Sequence, residues 1–101
     1  LWTISPRGAQ PRQRTRHPCP IASAFTWIPD GCGIAHVMDN SVNVTDIQTG
    51  VSTRLTARTN EADAPRPEAC VFSPDGRRIA YIRCLPDGDS RFNQIFVVSL
   101  D

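Results

Sequence analysis

The sequence predicts an all-β fold of antiparallel four-stranded meanders, stacked side by side as β-propeller blades. Three observations carry this. First, Trp27-Ile28-Pro29-Asp30-Gly31-Cys32-Gly33-Ile34-Ala35-His36-Val37 aligns without a gap on Phe72-Ser73-Pro74-Asp75-Gly76-Arg77-Arg78-Ile79-Ala80-Tyr81-Ile82, 45 positions later (27 to 72). A period of ~40–50 residues is that of a propeller blade. Second, no stretch places apolar residues at i, i+3, i+4 and i+7 over three turns, and nine prolines interrupt the 101 residues. Third, short β-type runs alternate with turn residues along the whole chain.

The elements follow in order. Residues 1–5 read as a strand, Pro6-Arg7-Gly8 as a turn, residues 11–15 as a second, polar strand, and 16–23, with two prolines, as a loop. Residues 24–28 form strand a of the first full repeat. Pro29-Asp30-Gly31 then turns the chain: Pro fixes φ, Asp bonds the backbone ahead, and Gly accepts φ > 0. Residues 33–38 are strand b, Asp39-Asn40 a tight turn, 42–47 strand c, Gln48-Thr49-Gly50 a turn, and 51–56 strand d. After a polar loop over 57–68, strand a of the second repeat spans 69–73, strand b 78–83 and strand c 94–100, with a loop over 85–92 and no strand d. The N-terminal strands parallel strands c and d, Trp2-Thr3-Ile4-Ser5 matching Phe96-Val97-Val98-Ser99. The predicted units are therefore 1–23, the end of a preceding blade and a loop; 24–56, a full blade; 57–68, an inter-blade loop; and 69–101, a blade lacking its fourth strand.

Phe72-Ser73-Pro74-Asp75-Gly76-Arg77-Arg78-Ile79-Ala80-Tyr81, followed by Gln94-Ile95-Phe96-Val97-Val98, resembles the Pro-Asp repeat of TolB-like β-propellers. Thr49-Gly50 and Thr53-Arg54-Leu55-Thr56 look like the end of such a blade. The first copy departs from the pattern at Ile28, a usual Ser, and at Gly33, a usual charged residue. The resemblance covers 24–101, with a weaker trace in 1–15, and suits a small bacterial TolB-like family. It implies that Trp27 and Phe72 pack between neighbouring blades. It also implies a non-catalytic protein-binding or scaffolding role, with protein partners such as cell-envelope components. Some similar propellers are oligogalacturonide lyases with a histidine-rich metal site in the central channel. A carbohydrate-active or peptidase-associated propeller enzyme is thus the alternative.

Propellers of this kind have about six blades, and 101 residues supply a little over two. An open wedge leaves faces and strand edges uncovered. Either the sequence is a section of a longer propeller, or copies self-associate, with an N-terminal strand of one chain completing the last blade of the next.

The chemistry-bearing residues are sparse. A formal net charge of +1 gives no field for nucleic acid, and no run of about 18 apolar residues inserts into a membrane. The cytoplasm and the periplasm of a bacterium both remain open. All eleven basic residues are Arg. The four cysteines lack C-x-x-C spacing and are expected as free thiols that act as small hydrophobes. No Ser-His-Asp order, phosphate loop or zinc spacing occurs, so no catalytic residue, metal or cofactor is assigned. Asp87-Gly88-Asp89-Ser90 lacks the bidentate Glu of a calcium loop. Of the two histidines, His36 sits on strand b where the second repeat has Tyr81, a packed or hydrogen-bonded position. Binding is expected on the loop face formed by the b-to-c and d-to-a connections, which carry His17, Asp39, Asn40, Arg58, Asn60, Glu61, Arg66, Asp87, Asp89 and Arg91.

Overall fold

The computed structural model describes residues 1–60 and 67–101, the side chains of residues 22–24 excepted. Every regular element among the described residues is a β-strand, and every strand pair is antiparallel. Strands β1 (Trp2–Thr3) and β2 (Arg12–Gln13) form a two-stranded ribbon. Strands β3 (Ile21–Trp27), β4 (Gly33–Met38), β5 (Ser41–Asp46) and β6 (Ser52–Arg54) pair in sequence order as a four-stranded meander. Strands β7 (Glu68–Phe72), β8 (Arg78–Asp87) and β9 (Ser90–Ser99) form a three-stranded meander. None of these sheets closes on itself.

The repeated signature folds the same way twice. In the first copy the Gly31 N–H donates to the Ile28 carbonyl at 2.9 Å, and the Cys32 N–H to Asp30 Oδ1 at 2.8 Å. In the second the Gly76 N–H donates to the Ser73 carbonyl at 2.9 Å, and the Arg77 N–H to Asp75 Oδ1 at 3.0 Å. Gly31 and Gly76 take φ of 77° and 71°, which a side chain would disfavour. Asp75 also accepts from the Ser73 hydroxyl, and these bonds to the charged form hold its carboxyl below the usual range. The β4–β5 turn is of the I′ kind: Asp39 and Asn40 have φ of 51° and 53°, closed by the Met38–Ser41 pair.

The turn between β5 and β6 ties the ribbon segment to the first meander. Asp46 Oδ1 accepts from the backbone N–H groups of Thr49 and Gln48 and from the Thr49 hydroxyl. Gly50 closes the turn with φ 74°, and a Cβ there would collide with the Arg14 carbonyl oxygen. Gly50→Ala should therefore cost about 1–3 kcal/mol in urea unfolding, because both the left-handed backbone and the close approach forbid a methyl.

Two expectations need correction. The ribbon strands are two residues each, shorter than 1–5 and 11–15. The expected loop over 85–92 is a hairpin arm: β8 and β9 continue through the pairs Leu85–Phe92, Pro86–Arg91 and Asp87–Ser90. Gly88 with φ 56° makes the two-residue Gly88-Asp89 turn possible. Pro86 is tolerated because β7 pairs with β8 only as far as Ile82, which leaves an edge where no N–H is needed.

The two meanders stack, and their pleats define how. Alternation puts Ala35 and Val37 on one face of β4 and Ile34 and His36 on the other. Ala35, Val37 and Val42 join Cys70, Ile79 and Tyr81 in one buried cluster, with Val44, Leu55, Phe72, Phe96, Val98 and Leu100 packed around it. Under the 45-residue offset Ile79 and Tyr81 correspond to Ile34 and His36, not to Ala35 and Val37. So the first meander buries its Ala-Val face against the Ile-aromatic face of the second, and the two sheets face the same way. A Cβ on Gly76 would lie 3.6 Å from Pro29 Cδ, so the two turns are also neighbours. Phe72 sits at this inter-sheet cluster, whereas its counterpart Trp27 is 47% exposed on the far side of the first meander.

Candidate functional site

Two polar clusters stand out, one at the β4–β5 turn and one against the ribbon segment. The first grows from the β4–β5 turn. Asp39 carries two ion pairs, to Arg54 at 2.8 Å and to Arg58 at 3.0 Å. Asn40 clasps the segment after β6: its side-chain amide donates to the Thr59 carbonyl at 3.1 Å, and its own carbonyl accepts from the Thr59 N–H and hydroxyl. The result is a polar cleft of about 500 Å³ lined by Asn40, Arg58, Thr59 and Asn60. Amide and guanidinium groups of this kind suit carboxylates and peptide backbone. Asp39→Asn, which keeps a residue suited to the left-handed turn, should lower stability by about 1 kcal/mol, the worth of two partly exposed ion pairs, and the loss should shrink in high salt. Urea titrations at two ionic strengths would check it.

The second cluster lies under the ribbon segment. His36, fully buried, has Nε2 2.7 Å from Thr45 Oγ1; the Thr45 and Ser52 hydroxyls share a short hydrogen bond; and Ser52 Oγ lies 3.4 Å from His17 Nε2. The two imidazole rings are 5.8 Å apart. His36 Nδ1 is buried with no hydrogen-bond partner. Burial first, then the nearby positive charge of His17, lowers the His36 pKa to about 4. A chain of hydroxyls between two neutral imidazoles can pass hydrogen-bond polarity along it, but its inner end is sealed from solvent.

The structure thus divides the expected loop face. It brings Asp39, Asn40, Arg58 and Asn60 together at the cleft. It puts His17 against Ser52 and His36 under the ribbon segment. Asp87 and Arg91 belong to the exposed end of the hairpin ladder and Asp89 to its two-residue turn, rather than to a long loop. Glu61 and Arg66 lie outside the described residues. His36 occupies the packed, hydrogen-bonded place expected for it.

Sequence reasoning passed over Thr45 and Ser52, although a signal was there: Ser41, Asn43 and Thr45 alternate with Val42 and Val44. All three polar residues are buried, Asn43 donating to the Met38 and Ser41 carbonyls at 3.0 Å. Among the described residues no group of three or more His, Cys, Asp or Glu is arranged to hold a metal ion. Their cysteines are all free, and burial pushes the Cys70 thiol up to about 11, making it an inert core residue. No described helix is long and apolar enough to cross a membrane.

No family model and no solved structure matches the chain. It is 42% identical over 82 residues, 81% of its length, to the uncharacterized protein YidR of Escherichia coli K12. The chain spans only 19% of the length of that relative, and is thus similar, over most of its own residues, to one part of a much longer protein.

Proposed function

We propose that the chain is a section of a TolB-like β-propeller that works as a non-catalytic protein-binding or scaffolding module. The observation that carries this is the same-sense stacking of two copies of one Pro-Asp-Gly signature, each folded as an antiparallel meander. Side-by-side meanders that repeat one contact are what a propeller is made from. In this reading the cleft at Asn40, Arg58 and Asn60 belongs to the loop rim, where a protein partner docks through carboxylates and backbone. The length of the similar protein, of which this chain spans a fifth, suits a larger ring.

Affinity capture from bacterial extract with the wild type and with an Arg58→Asp variant tests the reading. A partner held by the wild type, bound at measurable affinity after purification and lost with Arg58→Asp, supports it; identical capture by both contradicts the assignment of the rim. Release of unsaturated products from pectic oligosaccharides, seen as new ultraviolet absorbance, would favour the carbohydrate-lyase alternative.

A further inference from the structure

We propose that the groove along the ribbon segment is a binding site for a phosphate group, held by Arg12 and Arg14. The groove is a cavity of about 230 Å³ lined by Thr3, Ser5, Ala9, Gln10, Arg12 and Arg14. Its side chains offer guanidiniums, hydroxyls and a carboxamide, and no carboxylate. Residues 1–29 hold Arg7, Arg12, Arg14 and Arg16 without one Asp or Glu. No described carboxylate pairs with Arg12 or Arg14. Arg14 Nε–H donates to Thr3 Oγ1 at 2.7 Å, which anchors the guanidinium and leaves its terminal amino groups for another acceptor.

The chain builds the same groove a second time, with other side chains. At a constant offset of 41 residues (1 to 42) the ribbon matches β5 and β6 bond for bond. The Leu1 nitrogen donates to Thr15 Oγ1 at 2.8 Å, as the Val42 N–H does to Thr56 Oγ1 at 3.0 Å. The Arg14 N–H donates to the Leu1 carbonyl at 2.9 Å, as the Leu55 N–H does to the Val42 carbonyl at 2.8 Å. Thr3 pairs with Arg12 as Val44 pairs with Thr53. Thr3, Ser5, Gln10 and Arg12 therefore stand where Val44, Asp46, Val51 and Thr53 line a cavity of about 340 Å³ in the first meander.

The first meander forms this groove without a guanidinium, so the backbone does not require one. Its carboxylate, Asp46, is engaged by its own turn. In the ribbon the carboxylate position is Ser5, and arginines replace Thr53 and Leu55. Two like charges two positions apart share one side of a strand and repel each other unless an anion lies between them. Arg grips phosphate through parallel N–H···O bonds, and a tetrahedral dianion has oxygens for both guanidiniums, whereas a carboxylate is used up by one. The cavity is smaller than the ~300 Å³ at which sites for drug-sized ligands begin, so it suits free phosphate or the phosphoryl end of a small organic phosphate. Nor does the cavity exist only because the ribbon has two strands: its counterpart stays open with β3 and β4 in place beside β5.

Titration with inorganic phosphate and, separately, with glycerol 3-phosphate tests this, followed through the arginine Nε–H signals in NMR spectra. The Arg12 and Arg14 signals should move and saturate with millimolar or tighter affinity, and those of Arg77 and Arg78, on the second meander, should stay. Arg12→Gln and Arg14→Gln should each weaken binding at least ~10-fold, as loss of a charged donor does. Arg16→Gln, in the same basic stretch but outside the groove, should change it less than ~2-fold. If Arg14→Gln loses its melting transition with the bond to Thr3, the exposed Arg12 carries the test. Tighter saturation by glycerol 3-phosphate supports the site and marks an organic phosphate as its ligand; tighter saturation by inorganic phosphate supports it and marks the free ion. No saturation by ~20 mM of either overturns the inference. So does acetate binding as tightly as phosphate, or equal weakening by Arg16→Gln and Arg12→Gln, which would mean a diffuse basic field. The site is separate from the cleft at Asn40, so its failure leaves the protein-binding reading standing.

Discussion

Replacing Ile79 by Ala should lower the stability of the protein by about 3 kcal/mol, within the 2–5 typical of buried Ile-to-Ala changes. Ile79 is 0% exposed and is the largest side chain buried to that degree. It sits on β8, paired with Phe72 on one side and Val98 on the other, and belongs to the cluster that joins the two meanders. Its loss leaves a cavity between the two sheets, in the cluster that also holds Val37, Val42, Cys70 and Tyr81. Neither sheet can collapse into that space without shifting its ladder. A small domain has only about 5–15 kcal/mol in total, so one such change is a large part of the whole. The proper control is Ile95→Ala, on the neighbouring strand but facing outward at 71% exposure, which should cost under ~0.5 kcal/mol in the isolated chain. Urea midpoints with an unchanged slope would give both numbers. Similar losses at the two positions would mean that the buried face has been misassigned.

Lowering the pH from about 6.5 to about 4 should remove up to about 3 kcal/mol of stability through His36. The folded protein holds this imidazole at about 4, against 6.5 for the free side chain, with burial as the main cause. Between these values the unfolded chain binds the proton and the folded chain does not. Stability therefore rises with pH across the window and levels off above it; below about 4 the loss is complete. Protonation would bury a cation beside His17, whose own pKa is lowered by burial, so the two imidazoles act in the same direction. His36→Gln keeps a polar group near Thr45 Oγ1 and cannot titrate, so most of the dependence should vanish in that variant. Denaturation midpoints at several pH values would show it, and a wild-type profile flat from 6.5 to 4 would exclude a neutral buried His36.

How much of this was readable from the sequence differs by element. The Pro-Asp-Gly turns were legible because Pro, Asp and Gly each have a distinct backbone role, and both turns form the bonds those roles imply. Strand b of the first repeat is legible at 33–38, the strand Gly33–Met38, because turns bound it on both sides. The arm was missed because Pro86 and the polar residues 87–91 suggested a loop. The Gly88-Asp89 pair between Leu85 and Phe92 was the hairpin signal, and a missing partner strand made room for the proline. At the candidate site, Asp39, Asn40, Arg58 and Asn60 are all legible from their place on the connections of one loop face. Their convergence depends on how the segment after β6 folds back on the turn, through the bonds between Asn40 and Thr59. The tie between His17 and His36 was invisible because 19 positions and a loop separate them, and only the docking of the ribbon segment against Gly50 and Ser52 brings the rings together.

The two copies stack in the same sense, the Ala-Val face of the first on the Ile-aromatic face of the second. Through-space NMR contacts among assigned methyl and ring protons test it directly. Cross-peaks should join the methyls of Val37 or Val42 to Ile79 or the Tyr81 ring, with none from Val37 to the His17 ring. Cross-peaks joining Val37 or Val42 instead to Val97 or Ile95 would put like faces together and contradict it.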